Sequence, residues 1–188
     1  MSGTVELNTD RLLLRKHHRE DAAVLFDIFG SDPQMFEYSG WNPYQTKAMA
    51  TETIASFIKS YDNPYSYGWG IVHEGKLIGT IGAYDYDADN SRIEVGMSIE
   101  MASWGHGFAT EALTAVLFYL TEHENIKTVT AWCASDNIGS QKAMEKSGMQ
   151  IVRADIGALE INGQIYDKLI FEYSAQLILR QVPVCRDG

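Results

Sequence analysis

The most informative segment for the fold is Ser103-Trp104-Gly105-His106-Gly107-Phe108-Ala109-Thr110-Glu111-Ala112. Two of its glycines, Gly105 and Gly107, stand between a β-rich segment and a long amphipathic pattern. Glycine lets the backbone approach a ligand closely, and the unpaired N–H groups and positive dipole end of a helix attract an anion. The pattern therefore predicts an anion site at a strand-to-helix junction, and a pyrophosphate suits such a site.

Two nucleotide-binding motifs can be tested against this stretch. A P-loop needs Gly-Lys-Ser/Thr, and Phe108-Ala109 stands in that place. A Rossmann site needs parallel βαβ context and an acidic residue about 20 positions further on, where this chain has Ile126-Lys127. Both motifs are excluded, and on these residues alone a tight loop that binds nothing remains the alternative.

The elements around this stretch predict a mixed sheet covered by helices. An apolar stripe at i, i+3 and i+4 predicts a helix over Phe108 to His123. Upstream, three strands with short turns, which must be antiparallel, are predicted at Gly68 to His73, Leu77 to Asp85 and Arg92 to Met101. Downstream, the predicted elements are a strand from Thr128 to Cys133, a helix from Asn137 to Ser147-Gly148, and strands Gln150 to Ile161 and Gln164 to Tyr173 joined by Asn162-Gly163.

The first sixty residues predict one strand and two helices. A strand is expected over Val5 to Arg15 and a helix over Glu20 to Phe29, which Gly30 ends. A second helix is expected over Thr46 to Tyr61, with Thr46 as its N-cap.

Composition excludes several classes of protein. The 188 residues include 15 Lys and Arg against 25 Asp and Glu, a net charge of −10 at pH 7, which disfavours nucleic-acid binding. No segment reaches the about 18 apolar residues of a membrane span, so we expect a cytoplasmic protein with no membrane partner. The two cysteines, Cys133 and Cys185, lack the spacing of a disulfide framework or a zinc site, and no metal is expected.

The glycine stretch also resembles a known family. Trp104-Gly105-His106-Gly107-Phe108-Ala109 resembles the Q/R-x-x-G-x-G/A acyl-CoA pyrophosphate loop of the GNAT superfamily of N-acetyltransferases. Its continuation to Ala112 resembles the RimJ/RimL-type enzymes, which acetylate ribosomal-protein N-termini. Further motifs of that group are Thr9-Asp10-Arg11-Leu12-Leu13-Leu14-Arg15, Asn137-Ile138-Gly139-Ser140, Lys146-Ser147-Gly148-Met149 and the closing hairpin with Asp167. Trp104 replaces the first Q/R, as is common in the RimJ/RimL group, and main-chain binding tolerates the change.

The resemblance implies the fold and the co-substrate. The fold would be mixed α/β (α+β), with a central twisted, mostly antiparallel sheet, a splayed central strand pair and helices on both faces. Residues 1–188 would be a single acetyltransferase domain, with a core of about 9–175 and a tail of 176–188. The co-substrate would be acetyl-CoA. Its pantetheine arm would pair with the backbone of Met97, Ser98 and Ile99 between the splayed strands, and its pyrophosphate would bind the amides of Gly105, His106, Gly107, Phe108, Ala109 and Thr110.

The helix that begins after Asn137 carries the next candidates. Asn137 is either the N-cap of this helix or, by the resemblance, a hydrogen-bond partner of pantetheine, and both can hold together. Many family members use a Tyr seven residues after this Asn to protonate the departing thiolate, but Met144 stands there. Ser140 is then the candidate acid, as in the RimJ/RimL group, because a thiol with a pKa of about 8.5 needs only modest help.

Glu94 is the candidate general base. Strand alternation places Glu94, Gly96 and Ser98 on one face, so the carboxylate could face the cleft and act through water. The alternative is an exposed carboxylate paired with Arg92 or another neighbour. An α-amine with a pKa of about 8 is already partly neutral, so a dedicated base could also be unnecessary.

The acceptor is expected to be an amine. Tyr38, Trp41 and Tyr84 supply aromatic surface, and the acidic balance favours a protonated amine. A protein N-terminus and a small molecule both fit, and a homodimer is possible. The expected function is direct acetyl transfer in a ternary complex, and the alternative is a non-catalytic acyl-CoA sensor or scaffold on the same fold.

Overall fold

A computed structural model describes residues 1–30, 37–38 and 44–174. The α-helices within these residues are α1 (Asp21–Phe29), α2 (Lys47–Ser60), α3 (Phe108–Phe118) and α4 (Ile138–Lys146). The strands are β1 (Leu7–Asn8), β2 (Leu12–Arg15), β3 (Tyr67–His73), β4 (Lys76–Asp87), β5 (Arg92–Ile99), β6 (Thr128–Ala134), β7 (Gln150–Ile161) and β8 (Gln164–Ser174).

The strands in the described part of the chain form one eight-stranded sheet in the order β1-β2-β3-β4-β5-β6-β8-β7. Neighbouring strands are antiparallel except β5 and β6, which are parallel. A parallel pair needs a long crossover, and α3 lies in the segment that supplies it. The prediction of a mixed, mostly antiparallel sheet is confirmed.

The parallel pair separates after three residues. Arg92 to Glu94 pair with Thr128 to Thr130. Beyond that point β5 remains paired with β4 as far as Ile99, and β6 remains paired with β8 as far as Ala134. The two strands therefore leave an opening between them, which confirms the splayed central pair that the family resemblance implied.

Helices cover both faces of the sheet, as expected. Leu25 of α1 and Ile54 of α2 share a buried cluster with Leu77 of β4. Val116 of α3 belongs to a separate buried cluster with Ile81 of β4. Full burial of each such side chain stabilises the fold by about 1.5–3 kcal/mol, so the two clusters hold both helical layers against the sheet.

The expected single strand over Val5 to Arg15 is wrong in one respect. The segment contains two short antiparallel strands, β1 and β2, and Leu7 lies opposite Leu14. Thr9 makes the reversal: its hydroxyl oxygen accepts a hydrogen bond from the Leu12 N–H at 2.9 Å, and its own N–H donates to the Leu12 carbonyl at 3.0 Å. This side-chain and backbone bonding produces a turn that an apolar pattern does not reveal.

The helix expected over Phe108 to His123 has the right extent, but its last part changes period. The α-helix ends at Phe118, and a π-helical turn continues from Tyr119 to His123. Glu124 follows, and its buried carboxylate accepts hydrogen bonds from the hydroxyls of Tyr67 and Tyr119 at 2.9 and 2.8 Å. Within the described residues, no helix has the length and apolar character needed to traverse a bilayer.

Two local predictions about helix and strand ends are confirmed. The Thr46 hydroxyl accepts a hydrogen bond from the Met49 N–H, which makes it the N-cap of α2. Asn162 and Gly163 both have positive φ, at 52° and 76°, as a two-residue type I′ turn requires. The turn therefore sets the register of the β7–β8 hairpin as far as Leu159 and Tyr166, beyond which the register shifts.

Candidate active site

The opening between β5 and β6 leads into a cavity of about 750 Å³. One end of the cavity is lined by the glycine stretch and the start of α4, including Gly105, Gly107, Asn137 and Ser140. Its other walls come from α2, β3, β4, β5 and the end of β6. A single cavity thus joins the predicted anion loop to the face of the sheet beneath α2.

The glycine loop has the backbone geometry of an anion site. Gly105 and Gly107 have φ values of 77° and 81°, in the left-handed region that glycine adopts without strain. Gly107 is the N-cap of α3, so the first N–H groups of that helix lack partners within the helix. The loop therefore presents backbone donors together with the positive end of the helix dipole.

Arg11 holds this loop in place, a role that the sequence did not indicate. Its Nη1 donates to the carbonyl of His106 at 3.0 Å, and its Nε donates to Oε2 of Glu111 at 2.7 Å. Its guanidinium carbon lies 4.6 Å from the centre of the Phe108 ring. Glu111 also accepts a hydrogen bond from the Thr9 hydroxyl at 2.6 Å. The β1–β2 turn thereby ties down both the loop and the first turn of α3.

Asn137 caps α4, so this interpretation is confirmed. Its Oδ1 accepts a hydrogen bond from the backbone N–H of Ser140 at 3.0 Å. Both side chains are half-buried, and both residues line the cavity. The cap therefore positions Ser140 at the cavity wall, and the contact between Asn137 and pantetheine stays a prediction.

Most of the predicted site residues meet at this cavity. Those that line it are Tyr38, Tyr84, Met97, Ser98, Ile99, Gly105, Gly107, Phe108, Ala109, Asn137 and Ser140. Among the described residues, His106, Thr110 and Glu94 do not line it. The carbonyl of Thr110 accepts a hydrogen bond from the Ser147 hydroxyl at 3.2 Å. Trp41 lies outside the described residues.

Trp104 ties the loop to the end of β5. Its indole Nε1 donates to the carbonyl of Ile99 at 2.8 Å, while half of the side chain stays exposed. Of the three backbone positions expected to pair with pantetheine, Ile99 therefore has its carbonyl already bonded within the protein.

Glu94 is on the predicted face of β5, but its carboxylate is turned toward β6. Its Oε1 accepts a hydrogen bond from the Trp132 indole at 3.0 Å. On the neighbouring strand β4, Tyr84 is the residue paired with Glu94. The carboxylate does not line the cavity and is bonded to a neighbour, which is the second of the two arrangements considered, with Trp132 in place of Arg92. Its role as a base stays a prediction.

Cys133 lines the cavity and is buried. Burial, together with the charge of Glu145, raises the pKa of the Cys133 thiol to about 12. The thiolate is the nucleophilic form of cysteine. A neutral thiol at this position favours direct transfer over an acetyl-cysteine intermediate.

A row of three glycines crosses the floor of the cavity. Gly68 lies opposite Gly82, and Gly82 lies opposite Gly96, so the row spans β3, β4 and β5 on one face. All three line the cavity. Strand spacing of about 4.8 Å makes the row about 10 Å long. The signal was present in the sequence, because a glycine inside a strand often marks close approach of a ligand.

The ionisable lining of the cavity is mostly acidic. Within residues 1–30, 37–38 and 44–174, the lining includes the carboxylates Glu37 and Asp136 and the histidine His17, and it includes no Lys or Arg. Aromatic side chains that share the wall include Tyr44, Phe57 and Trp132. This combination of acids and aromatic rings suits a cation.

The fold matches that of the acetyltransferases that the family resemblance implied. The model for the acetyltransferase (GNAT) domain matches residues 11–150. The chain therefore belongs to the GNAT family and is an N-acetyltransferase.

Similar proteins agree with this assignment. The uncharacterized N-acetyltransferase YoaA of Bacillus subtilis (strain 168) is 29% identical over 167 residues, covering 88% of this chain and 94% of its own. The uncharacterized N-acetyltransferase p20 of Bacillus licheniformis is 32% identical over 149 residues, covering 77% of this chain and 82% of its own. Among solved structures, RimL, a ribosomal L7/L12 alpha-N-protein acetyltransferase in complex with coenzyme A, has a TM-score of 0.83 at 14% identity, covering 90% of this chain and 98% of that one. The structural likeness concerns the fold.

Proposed function

We propose that this protein transfers an acetyl group from acetyl-CoA directly to a primary amine in a ternary complex. The observation that carries the proposal is the single cavity that connects the glycine loop with the opening between β5 and β6. An extended cofactor bound at the loop can reach the opening, and an acceptor can enter from the face beneath α2. Both substrates then meet without a covalent enzyme intermediate.

The glycine loop and β5 bind acetyl-CoA in this proposal. The pyrophosphate lies on the amides between Gly105 and Thr110, where backbone donors and the helix dipole favour an anion. The pantetheine arm follows the edge of β5 at Met97 and Ser98, beyond the last residue that pairs with β6. Asn137 faces it from the start of α4.

Arg11 contributes to acetyl-CoA binding because it holds the loop in its bound shape. The R11M variant keeps much of the side-chain packing on Phe108 but loses the hydrogen bonds to His106 and Glu111. We expect the Kd for acetyl-CoA in calorimetric titration to rise about 10-fold, or about 1.4 kcal/mol. The control is R153M, which removes an exposed arginine on β7. A Kd for R11M within twofold of wild type would show that the loop holds its shape without Arg11.

Ser140 supplies a proton to the departing thiolate. Met144, at the position of the family tyrosine, is buried and has no proton to donate. The Ser140 hydroxyl lies at the cavity wall, and a hydroxyl that relays a proton from water is enough for a thiolate whose pKa is about 8.5.

The acceptor is a primary ammonium on a slender chain. Tyr61 lies over Gly68 and Tyr84 lies over Gly96, so the glycine row leaves a floor without side chains at Gly82, between the two rings. The carboxylates of Glu37 and Asp136 attract a positive charge. Tyr38, Trp41 and Tyr84 are the proposed aromatic contacts. An unbranched small amine and a protein N-terminus with small first residues share this chemistry.

The test is calorimetric titration with acetyl-CoA, with ATP and NAD as controls. It is followed by a panel of spermidine, n-butylamine and trialanine with detection of the released thiol. We expect micromolar binding of acetyl-CoA, no binding of ATP or NAD, and thiol release that depends on the amine. Binding of ATP or NAD in place of acetyl-CoA would refute the proposal.

The S140A variant separates an enzyme from the alternative, an acyl-CoA sensor on the same fold. In an enzyme, loss of the hydroxyl lowers kcat by about 100-fold and leaves the Kd for acetyl-CoA unchanged. The matched control is T51A, which removes an exposed helical hydroxyl bonded to the Lys47 carbonyl. A wild-type protein that binds acetyl-CoA but releases no thiol with any amine would support the sensor instead.

A further inference from the structure

Tyr84 has an unusual position on β4. It lies directly opposite Glu94, and the pairing register then shifts before it resumes at Asp87 and Arg92. The next residue, Asp85, has a φ of 55°, which is uncommon for a residue with a side chain. Such bulges redirect a side chain and are frequent next to active sites. Tyr84 is 41% exposed and lines the cavity.

The Tyr84 hydroxyl lies over Gly96. A Cβ atom at Gly96 would be only 2.7 Å from the Tyr84 hydroxyl oxygen, so a side chain there would displace this ring. Gly96 is two residues beyond Glu94, the last residue of β5 that pairs with β6. The hydroxyl therefore lies where the opening between the two strands begins.

Glu94 lies beside Tyr84, at the paired position on β5. Its carboxylate is not part of the cavity lining within the described residues, and its Oε1 accepts a hydrogen bond from Trp132. Partial burial of the ring, followed by the negative charge of Glu94, raises the pKa of Tyr84 to about 12. The phenol therefore stays protonated near neutral pH and can donate toward the carboxylate.

We propose that Tyr84 is a catalytic residue whose hydroxyl passes a proton from the acceptor nitrogen to Glu94. The inference rests on the proposed function and deepens it. It also answers how Glu94 can serve as a base although its carboxylate does not reach the cavity. Glu94 acts through Tyr84, and Trp132 is the positioning residue that orients the carboxylate.

The acetyl transfer proceeds through a tetrahedral intermediate. The bound ammonium first releases one proton to solvent. The neutral amine then attacks the thioester carbonyl carbon, a C–N bond forms, and the carbonyl electrons move to oxygen. The nitrogen, now positively charged, gives one proton to the Tyr84 oxygen as the phenolic proton moves to Glu94. The C–S bond then breaks as the carbonyl reforms. The CoA thiolate takes a proton from water through Ser140, and Glu94 returns its proton through Tyr84 to solvent.

The Y84F variant tests the relay because it removes one oxygen and keeps the ring. With the fastest amine of spermidine, n-butylamine and trialanine, we expect kcat to fall by about 100-fold, as loss of a proton-transfer group does. The Kd for acetyl-CoA and the KM for the amine should stay within threefold. The matched control is Y86F, since Tyr86 stands two residues further on and stacks on Tyr65 at 4.8 Å.

A double-mutant cycle distinguishes a relay from two independent contacts. E94Q keeps an oxygen that can accept the Trp132 hydrogen bond but removes the basic carboxylate. If Tyr84 and Glu94 act as one unit, E94Q lowers kcat about as much as Y84F, and the double variant is no slower than either single variant. Multiplied losses in the double variant would overturn the relay.

The outcomes separate the relay from the proposed function. Wild-type turnover together with a kcat for Y84F within threefold of wild type overturns the relay and leaves the acetyltransferase proposal intact. Acetyl-CoA binding with no turnover of any amine by wild type overturns both. A loss in Y84F that appears only as a higher KM for the amine assigns Tyr84 to acceptor binding and also overturns the relay.

Discussion

Replacing Gly107 by Glu (G107E) is expected to abolish acetyl-CoA binding. Gly107 has a φ of 81°, and a residue with a side chain pays about 1–2 kcal/mol to adopt the left-handed conformation. The new carboxylate would also stand where the pyrophosphate is proposed to bind. Together, strain and charge repulsion should weaken binding by more than about 100-fold, equivalent to about 2.7 kcal/mol. Calorimetric titration with acetyl-CoA measures the effect directly.

The chain provides a matched control for this variant. Gly75 in the β3–β4 turn has a φ of 80° and no atom within 4 Å of an added Cβ. G75E therefore introduces the same strain and the same charge away from the cavity, and it should bind acetyl-CoA like wild type. Equal loss in both variants would mean that strain in the fold explains the effect, and unchanged binding by G107E would place the pyrophosphate elsewhere.

Replacing Asp21 by Asn (D21N) is expected to give the largest loss of stability. The Asp21 side chain is 6% exposed, and its carboxylate accepts hydrogen bonds from Arg15 at 2.8 and 2.9 Å and from the His18 N–H at 2.9 Å. Hydrogen bonds to a charged group contribute about 1.5–3 kcal/mol each, and the loss here is expected to reach about 3 kcal/mol. It is not larger because Arg15 keeps 20% of its side chain exposed and still donates to the Lys16 carbonyl. Urea unfolding of both proteins at pH 7 measures the difference.

The same variant has a defined pH dependence. Burial alone would raise the pKa of Asp21, but hydrogen bonds from Arg15, His17 and the His18 backbone outweigh it and hold the pKa far below its ordinary value. The stabilisation is therefore complete above the unfolded-state pKa of about 3.9 and is lost as pH falls below it. The difference in the free energy of unfolding between wild type and D21N should become smaller from pH 5 to pH 2.

An exposed ion pair serves as the control for D21N. Arg153 and Asp155 are 3.0 Å apart on β7, with side chains that are 65% and 35% exposed. D155N should cost at most about 1 kcal/mol, as surface pairs do. A similar loss in D21N and D155N would show that burial does not strengthen the Arg15–Asp21 pair.

Features that depend only on residues close together in the chain could be predicted from the sequence. The caps at Thr46 and Asn137 act on N–H groups three residues away, and the Asn162-Gly163 turn depends on its own backbone. The one wrong strand, Val5 to Arg15, failed because the Thr9 side chain makes a turn within an apolar run.

Contacts between residues far apart in the chain set the direction of side chains in the candidate site. Alternation placed Glu94 on the correct face, but Trp132, 38 residues away, turns its carboxylate toward β6. The Arg11 contact with Glu111 spans 100 residues, so neither residue alone indicates that the glycine loop is held from the β1–β2 turn.

Apart from the β1–β2 turn, the sequence was enough to predict the order of strands and helices along the chain, the glycine loop and, through the resemblance to the GNAT family, the class of reaction. The tertiary structure was needed to show that Gly68, Gly82 and Gly96 form one row, and that Tyr84 covers Gly96. The physical reason is register: residues far apart in the chain become neighbours only when strand pairing is set, and a shift of one residue turns every side chain to the other face.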